Sequence, residues 1–328
     1  MNNRYEFMFF VEAKNCNPNG DPDMGNTPRI DPETMNGIIT DVAIKRRIRN
    51  YIEDAFQHKY GLDIIKRESS NMNKAIAEVV LEANNGTIDK KGNKKVNESM
   101  KLACERYFDV RTFGDVLTTG LNAGQIRGPV QIAMATSLDP ILPLDMTITR
   151  MCYTEGKYTT LEEYDKLDNE MNDDSKRTMG RKQSIPYGLY VVKGSVSANL
   201  AEKTGFNEND LNVLFEAIMN MYNNDISASK TGMSVIQPLI IFKHIGTNPN
   251  NVEQNIRETK LGCAPAYKLY ELVEIKKKDG IEYPRDYKDY DVKINKNNLP
   301  NGVQIGFKYG PFDEIIWDNI LEKDTWLK

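Results

Sequence analysis

The fold is decided near the start of the chain, where residues 4–12 read Arg-Tyr-Glu-Phe-Met-Phe-Phe-Val-Glu. Apolar residues occupy both alternating faces of this run, as in a strand buried inside a sheet. After Lys14 the sequence to Asp31 is dense in Asn, Pro, Gly and Asp, which favour turns. The pattern predicts a core strand followed by a long ordered loop, and loops of that length are often functional.

A helix is predicted after this loop, capped by Thr40 or Asp41 and continuing to about Ala55, with apolar residues at helical spacing. Further strands are expected at 130–138, 188–197 and 235–244, and Asn207 is expected to cap a second core helix. This is the β-α-β-β-α-β order of a ferredoxin-like or RRM-like sheet. We therefore predict an α+β fold: a single domain, 1–328, built on one such sheet with two long insertions.

The insertions occupy residues 56–127 and 140–186. The first should contain amphipathic helices at about 71–83 and 96–108. Residues 246–328 are polar and rich in turns, and we expect them to elaborate the sheet with short strands near 268–276 and 303–309. An amphipathic end is predicted around Phe312, Ile315, Ile316 and Ile320.

The charge balance at first argues against a nucleic-acid ligand, since 43 basic and 47 acidic side chains give a net charge of −4. The acidic surplus is local, however. Residues 155–174 carry eight acidic and two basic side chains, and residues 310–328 carry five and two. Residues 175–193 carry five basic side chains and no acidic one. Basic clusters therefore remain available for phosphate contact.

Several function classes find little support. Cys16, Cys104, Cys152 and Cys263 are scattered, and only two histidines, His58 and His244, accompany them, so we expect neither a zinc site nor a disulfide framework. The histidines do not suggest nucleophilic catalysis. We predict no metal and no cofactor. The chain has no apolar run long enough for a membrane span and no signal-peptide pattern at its start, so we expect a cytoplasmic protein without membrane contact.

Three basic segments are candidate phosphate sites. Residues 42–52 carry Lys45, Arg46, Arg47 and Arg49 without an acidic partner one helical turn away, and Lys45, Arg46 and Arg49 lie off the apolar face. This pattern favours phosphate contact over an ordinary solvated face. Residues 176–182 form a basic segment in which Met179 could wedge between bases, with a mobile loop as the alternative. Arg127-Gly128 at a strand entrance fits either a turn or a phosphate site.

The loop and the aromatic residues leave alternatives open. The loop segments 17–23 and 29–32 fit a rigid surface loop, a hard-cation site built from Asp21, Asp23 and Asp31, or phosphate binding by backbone N–H groups. Some aromatic side chains could stack on bases, although apolar neighbours on both faces favour a core position. They are Phe7, Phe9, Phe10, Tyr187 and Tyr190.

Six motifs in order match a known family. They are Asn17-Pro-Asn-Gly-Asp-Pro-Asp, Arg29-Ile-Asp-Pro-Glu-Thr, Thr40-Asp-Val-Ala-Ile-Lys-Arg-Arg-Ile-Arg-Asn-Tyr, Asp109-Val-Arg-Thr-Phe-Gly, Arg127-Gly-Pro-Val-Gln and Thr178-Met-Gly-Arg-Lys. From residue 4 to about 275 the chain resembles the backbone subunits of subtype I-C CRISPR Cascade complexes, which belong to the RAMP superfamily.

The resemblance implies a non-catalytic subunit that polymerises along CRISPR RNA and presents its bases for pairing with target DNA. The sheet would be a palm, residues 56–127 the fingers and residues 140–186 the thumb. Implied partners are other copies of the chain and the large, small and guide-processing endonuclease subunits of Cascade. The implied guide contacts, carried over by position, are Asn19, Gly20, Lys45, Arg46, Arg49, Arg127, Gln131, Met179, Arg181 and Lys182.

Two alternatives remain. Backbone subunits of type III complexes cut target RNA with an aspartate in the loop before the first helix, and Asp31 occupies that position here. A metal-dependent ribonuclease is therefore the first alternative. The second is a protein-only assembly subunit that binds no nucleic acid.

Overall fold

The computed structural model describes residues 1–88, 92–172 and 175–317 of the chain. Its strands, in chain order, are β1 (Tyr5–Cys16), β2 (Gly20–Asp21), β3 (Thr27–Pro28), β4 (Asn36–Ile39), β5 (Gly114–Val116), β6 (Gln125–Arg127), β7 (Val130–Ile132), β8 (Ala135–Pro140), β9 (Leu144–Arg150), β10 (Thr178–Val196), β11 (Met233–His244), β12 (Val273–Lys277), β13 (Tyr290–Ile294), β14 (Val303–Lys308) and β15 (Ile316–Trp317). Its α-helices are α1 (Asp41–Phe56), α2 (Met72–Ala83), α3 (Val96–Arg106), α4 (Phe108–Phe113), α5 (Leu161–Glu170), α6 (Ala198–Thr204), α7 (Glu208–Asn220), α8 (Val252–Leu261) and α9 (Ala266–Tyr270). None of the helices in these three ranges is long and apolar enough to cross a membrane.

One large antiparallel sheet organises the chain, which confirms the predicted combination of helices with a single main sheet. Its strand order is β15-β14-β11-β1-β10-β8-β4, and β7 and β9 also pair with β10. The longest ladder joins β1 to β10, from the Tyr5–Val196 pair to the Cys16–Ile185 pair. The first strand of the sequence is therefore central in the sheet.

Both faces of β1 are buried, as its two-sided apolar pattern predicted. Phe7, Phe9 and Val11 pack in the core beneath α1 and α7. Met8 and Phe10 face the opposite side, where α9, β12 and β13 cover the sheet. Because these aromatic rings are at most 2% exposed, they cannot serve as stacking platforms for bases. The core interpretation of these residues is correct.

The two core helices begin at the predicted caps. The Thr40 hydroxyl accepts a hydrogen bond from the Ala43 N–H at the start of α1. Asn207 and Asp210 form a reciprocal capping box at the start of α7. Apolar residues on the inner face of each helix pack on the sheet, and the Phe215 ring meets Phe7 edge-on with 5.6 Å between centroids.

The first insertion has its own apolar core. Helices α2 and α3 occur close to the predicted ranges, and their buried residues pack with Tyr107 and Val110 from α3–α4 and with Leu117 and Ala123 from the loop that follows. This cluster is separate from the two clusters that pack on the faces of the sheet.

Strand β10 differs most from the prediction. Its first seven residues, Thr178–Ser184, pair with β9, and the strand then continues without a break to pair with β1. The segment for which a mobile loop was one of two interpretations is thus one arm of a two-stranded ribbon. Pro186, which lacks an N–H to donate, lies next to the point where the pairing partner changes from β9 to β1.

Other boundaries also need correction. The predicted strand at 130–138 is split into β7 and β8, and the predicted strand near 268–276 begins as helix α9 before β12. In the predicted amphipathic end, Ile315 packs against the core, whereas Phe312 is 78% exposed. Ile320 lies outside the described residues.

Candidate nucleic-acid interface

The Asn-Pro-Gly loop is anchored to the start of α1. The Asn19 Oδ1 accepts hydrogen bonds from the Thr40 N–H and the Thr40 hydroxyl, both at 2.9 Å. Gly20 begins the small β2–β3 hairpin, and a Cβ there would lie 1.9 Å from Asn26 Oδ1. Both residues therefore have a structural reason for their identity, in addition to the guide contact implied by the resemblance.

A half-buried lysine, Lys230, contacts the other side of this loop. The Lys230 ammonium donates to the carbonyl oxygens of Asn17 and Pro18, both at 2.5 Å. Burial, reinforced by the nearby Arg47, lowers the pKa of Lys230 to about 8. The loop is thus tied to the segment before β11 as well as to α1.

The basic residues of α1 are paired, contrary to the expectation that they lack acidic partners. Lys45 pairs with Asp41 one turn earlier at 2.9 Å, and Arg47 pairs with Asp225. Arg46 donates to Glu68, which is largely exposed. Asp41 lies one residue before the range 42–52 over which the charges were counted. The other carboxylates come from segments that are distant in the sequence.

Arg49 was predicted to lie off the apolar face of α1 and to contact phosphate, but its side chain is buried. It is 8% exposed, and its Nε donates to the Asp109 carboxylate at 2.8 Å. Asp109 also accepts the N–H groups of Ile65 and Lys66. Because this pair is enclosed between α1 and the first insertion, Arg49 joins those two parts of the chain. Guide contact through its side chain stays a prediction.

The Asp109-Val-Arg segment contains a second buried ion pair that the sequence analysis did not assign. Arg111 binds the Asp210 carboxylate through two nitrogens, at 3.0 and 2.7 Å, and donates to the carbonyl oxygens of Cys104 and Gly61. Opposite charges inside the otherwise apolar run 107–113 were the signal that could have revealed it. Asp109 and Arg111 together join the first insertion to α1 and α7.

An open groove of about 570 Å³ lies beside this junction. Its walls come from Phe113 at the end of α4, from strands β5 and β6, from Gly128 and from Gln131 of β7. Gly114 and Gly128 pack backbone against backbone there, because a Cβ on Gly128 would lie 2.2 Å from the Phe113 carbonyl carbon. The close approach at Gly128 is therefore internal to the chain.

The groove gathers several of the predicted contacts. Arg127 and Gln131 line it with exposed side chains, and the described residues place no carboxylate in an ion pair with Arg127. The Lys45 ammonium lies 5.7 Å from the ring of Phe113, another lining residue. Through the Asn19–Thr40 contact, the loop reaches the same end of α1. Asn19, Lys45, Arg127 and Gln131 thus belong to one surface region.

The predicted contacts of the second insertion lie elsewhere, on the β9–β10 ribbon, and they do not share a face. Cross-strand partners in a ribbon lie on the same face. Met179 and Arg181 are opposite Thr149 and Thr147, whereas Lys182 is opposite Met146. Arg181 lies 3.7 Å from Asp145, and Met179 is 80% exposed.

The carboxylates of Asp31 and Asp21 make their contacts within the loop itself. The Asp31 carboxylate accepts the Glu33 N–H at 2.9 Å, and bonds from Glu33 and Thr34 keep the pKa of Asp31 below its ordinary value. Asp21 pairs with Arg29 at 3.0 Å. In residues 1–88, 92–172 and 175–317, no group of three or more potential ligands is positioned to hold a metal ion.

Asn19→Ala is expected to lower the free energy of unfolding by about 1–2 kcal/mol, because the half-buried Thr40 N–H loses its acceptor. Asn19→Asp retains the oxygen and should melt within a degree or so of wild type. Thermal melts of both variants check this. Equal destabilisation by the two substitutions would show that the acceptor is not what matters.

Comparisons with known proteins agree on one family. A model of the CRISPR-associated protein Cas7 family matches residues 3–295. A Cas7 protein of Haloferax volcanii is 27% identical over 251 residues, which cover 70% of this chain and 67% of the relative.

Two solved structures are also similar, one a "CRISPR RNA-guided surveillance complex, pre-nicking" and the other a "CRISPR RNA-guided surveillance complex". The first has a TM-score of 0.46 and 14% identity over 76% of this chain and 80% of that chain. The second has a TM-score of 0.43 and 15% identity over 76% and 71%. The family match includes strands β1 to β13, both insertions and all the motifs of the groove, and the chain therefore belongs to the CRISPR-associated Cas7 family.

Proposed function

We propose that this protein is a backbone subunit of a subtype I-C Cascade complex, several copies of which assemble along one CRISPR RNA. The observation that carries this proposal is the Cas7 family match over residues 3–295. The six ordered motifs support the finer assignment to subtype I-C. Target DNA then pairs with the guide bases, and the large, small and guide-processing endonuclease subunits complete the complex in the cytoplasm.

The architecture supports the proposed division into palm, fingers and thumb. The central strands have the order β11-β1-β10-β8, with α1 after β1 and α7 between β10 and β11, as expected of a ferredoxin-like palm. Residues 56–127, with their own core, are the fingers, and residues 140–186, with the projecting β9–β10 ribbon, are the thumb. Residues 246–328 elaborate the palm.

The groove between palm and fingers is the proposed guide site. Arg127 offers an exposed guanidinium without a carboxylate partner among the described residues, and Gln131 offers an amide next to it. Arginine suits phosphate because its planar fork makes paired hydrogen bonds. When base pairing supplies the sequence specificity, the protein needs only contacts with the RNA backbone. Many weak contacts along one RNA add up to strong binding.

Lys45 and Arg46 are secondary contacts in this proposal, because each has a carboxylate partner that phosphate must displace or share. We also propose that the subunit is non-catalytic. Asp31 serves the turn of its own loop, so the ribonuclease alternative receives no support from its surroundings. The test for that alternative is incubation of the assembled complex with complementary RNA and Mg²⁺, where regularly spaced cuts that Asp31→Ala abolishes would revive it.

Co-expression with a CRISPR RNA and the partner subunits should yield a particle that contains RNA and several copies of this chain. We expect its ultraviolet spectrum to show nucleic acid and its mass to fall in steps of one subunit after nuclease treatment. Mass photometry of the same sample counts the copies. Protein that stays monomeric and free of RNA under these conditions would refute the proposal and leave the protein-only alternative.

A further inference from the structure

The segment between α7 and β11 contacts two elements that carry proposed guide contacts. On α1, the Arg47 guanidinium donates to the Asp225 carboxylate. On the loop after β1, the Asn17 N–H donates to the Ser229 carbonyl oxygen at 2.9 Å. We call residues 225–232 the linking segment, because they join α1 to this loop.

Lys230 of the linking segment fixes the direction of two peptide groups in the loop. Its ammonium donates to the carbonyl oxygens of Asn17 and Pro18, both at 2.5 Å, and both of those residues are buried. The peptide between Pro18 and Asn19 is trans, and in a trans peptide the C=O and the N–H point in opposite directions. The Asn19 N–H is therefore turned away from Lys230.

The Asn19 N–H is an unused donor on the proposed guide surface. Asn19 is partly exposed, and among the described residues its N–H has no hydrogen-bond acceptor. Its side chain is already engaged, because Oδ1 accepts from Thr40 and Nδ2 donates to the Gly20 carbonyl oxygen. Backbone N–H groups in turns bind anions. Lys230 thus orients a phosphate donor without contacting RNA itself.

The Lys230 ammonium has no carboxylate to itself. In the described part of the chain it forms no ion pair, and the carboxylate that acts on it, Asp225, already pairs with Arg47. Cys16 of β1 and Tyr222 after α7 face the same cluster. Burial raises the pKa of both, to about 11 for Cys16, so neither is charged near neutral pH. Two cations therefore share one carboxylate beside the loop.

The proton of Lys230 is consequently easy to lose. Burial, and then the positive charge of Arg47, lower the pKa of Lys230 to about 8. A neutral amine donates weaker hydrogen bonds than an ammonium does. A phosphate held by the Asn19 N–H would lie one peptide group from the carbonyl oxygen of Pro18 and would favour the charged form of Lys230. Binding of RNA and binding of this proton then promote each other.

We propose that Lys230 is a positioning residue for guide binding, and that each copy takes up a proton on Lys230 when the Asn19 N–H binds an RNA phosphate. This inference rests on the proposed function, in which the loop contacts the guide. It gives Asn19 two separate tasks, since the side chain holds the start of α1 and the backbone contacts RNA.

The affinity for RNA should fall as the pH rises. Below about pH 7, Lys230 is protonated in both the free and the bound protein, so this group adds no pH dependence. Above about pH 8, the free protein must take up a proton in order to bind. We expect the dissociation constant for an RNA that accommodates one copy to rise about fivefold to tenfold between pH 7 and pH 9. Fluorescence anisotropy with the labelled RNA measures this change.

Two substitutions separate the charge of Lys230 from its titration. Lys230→Arg keeps a cation that does not titrate in this range, so its affinity should stay constant from pH 7 to pH 9. Lys230→Met removes the cation, and we expect it to bind about tenfold more weakly than wild type at pH 7. The control is Lys268→Arg, which alters an exposed lysine of α9 on the opposite face of the sheet and should keep the wild-type profile.

Calorimetry counts the protons directly. Titrations of RNA into the full-length protein at pH 8, in two buffers of different ionisation enthalpy, should show uptake of about half a proton per copy by wild type. Lys230→Arg should show none. Thermal melts of each variant identify any loss of affinity that comes from unfolding, and the comparison of wild type with Lys230→Arg decides the question if Lys230→Met does not fold.

The outcomes distinguish the two proposals. If wild-type protein binds no RNA at pH 7, the proposed function fails. If wild type binds but Lys230→Arg loses affinity with pH in the same way, only the present inference fails. Folded Lys230→Met that binds as tightly as wild type at pH 7 would also overturn it.

Discussion

Arg111→Ala is expected to lower the free energy of unfolding by about 3–5 kcal/mol, a large part of the total stability of an ordinary domain. The substitution leaves the Asp210 carboxylate, which is 5% exposed, without its cation. It also removes the donors to the carbonyl oxygens of Cys104 and Gly61. The loss is large because a buried charge without a partner keeps its full desolvation penalty.

Urea denaturation followed by circular dichroism measures this change, and Arg106→Ala is the matched control. Arg106 lies on α3 five residues earlier and pairs with Glu82, whose side chain is 48% exposed. A surface pair of that kind contributes about 0–1 kcal/mol. Similar midpoints for the two variants would show that the Arg111–Asp210 pair does not join the first insertion to α7.

Arg127→Glu is expected to weaken guide binding by about tenfold per copy without lowering the melting temperature. Arg127 is exposed and its guanidinium has no carboxylate partner in the described ranges, so the fold loses no contact. Fewer counterions are released when RNA binds, so the slope of log affinity against log salt should flatten by about one per copy. Across several copies on one guide, the losses multiply.

Fluorescence anisotropy with labelled CRISPR RNA over a salt series checks this prediction. The control is Arg257→Glu, which reverses an exposed arginine on α8, away from the groove. An unchanged salt slope for Arg127→Glu would remove the groove as a guide site. Charge reversal at Arg49 would be uninformative here, because it would place a second carboxylate beside buried Asp109 and test folding instead of binding.

The sequence was most informative where local rules decide structure. The apolar pattern of residues 4–12 predicted β1, and the caps Thr40 and Asn207 predicted the starts of α1 and α7, because these signals depend on near neighbours alone. The β10 arm of the ribbon was missed because residues 178–184 are mostly polar, so they carry no apolar alternation that would indicate a strand.

The electrostatics of the site were the least predictable part. Arg46, Arg47 and Arg49 find their carboxylates on Glu68, Asp225 and Asp109, which no helical wheel of α1 contains. A charge pattern read along one helix therefore overestimated the free positive charge of its face. Arg127 differs from these arginines, because it has no carboxylate partner among the described residues. Its surroundings are set by the packing of β5, β6 and β7, which the sequence around Arg127 does not reveal.

Because β10 is one continuous strand, it fixes the distance between residues at its two ends. Arg181 lies near one end of this 19-residue strand, and Gln131 pairs with Ser195 at the other end. At about 3.3 Å per residue, these two proposed guide contacts are held roughly 45 Å apart along a strand that no loop interrupts. In the proposed assembly, each copy would hold its two contacts at this fixed distance. The length of RNA bound by one subunit would then be set by the protein and would not depend on the guide's sequence.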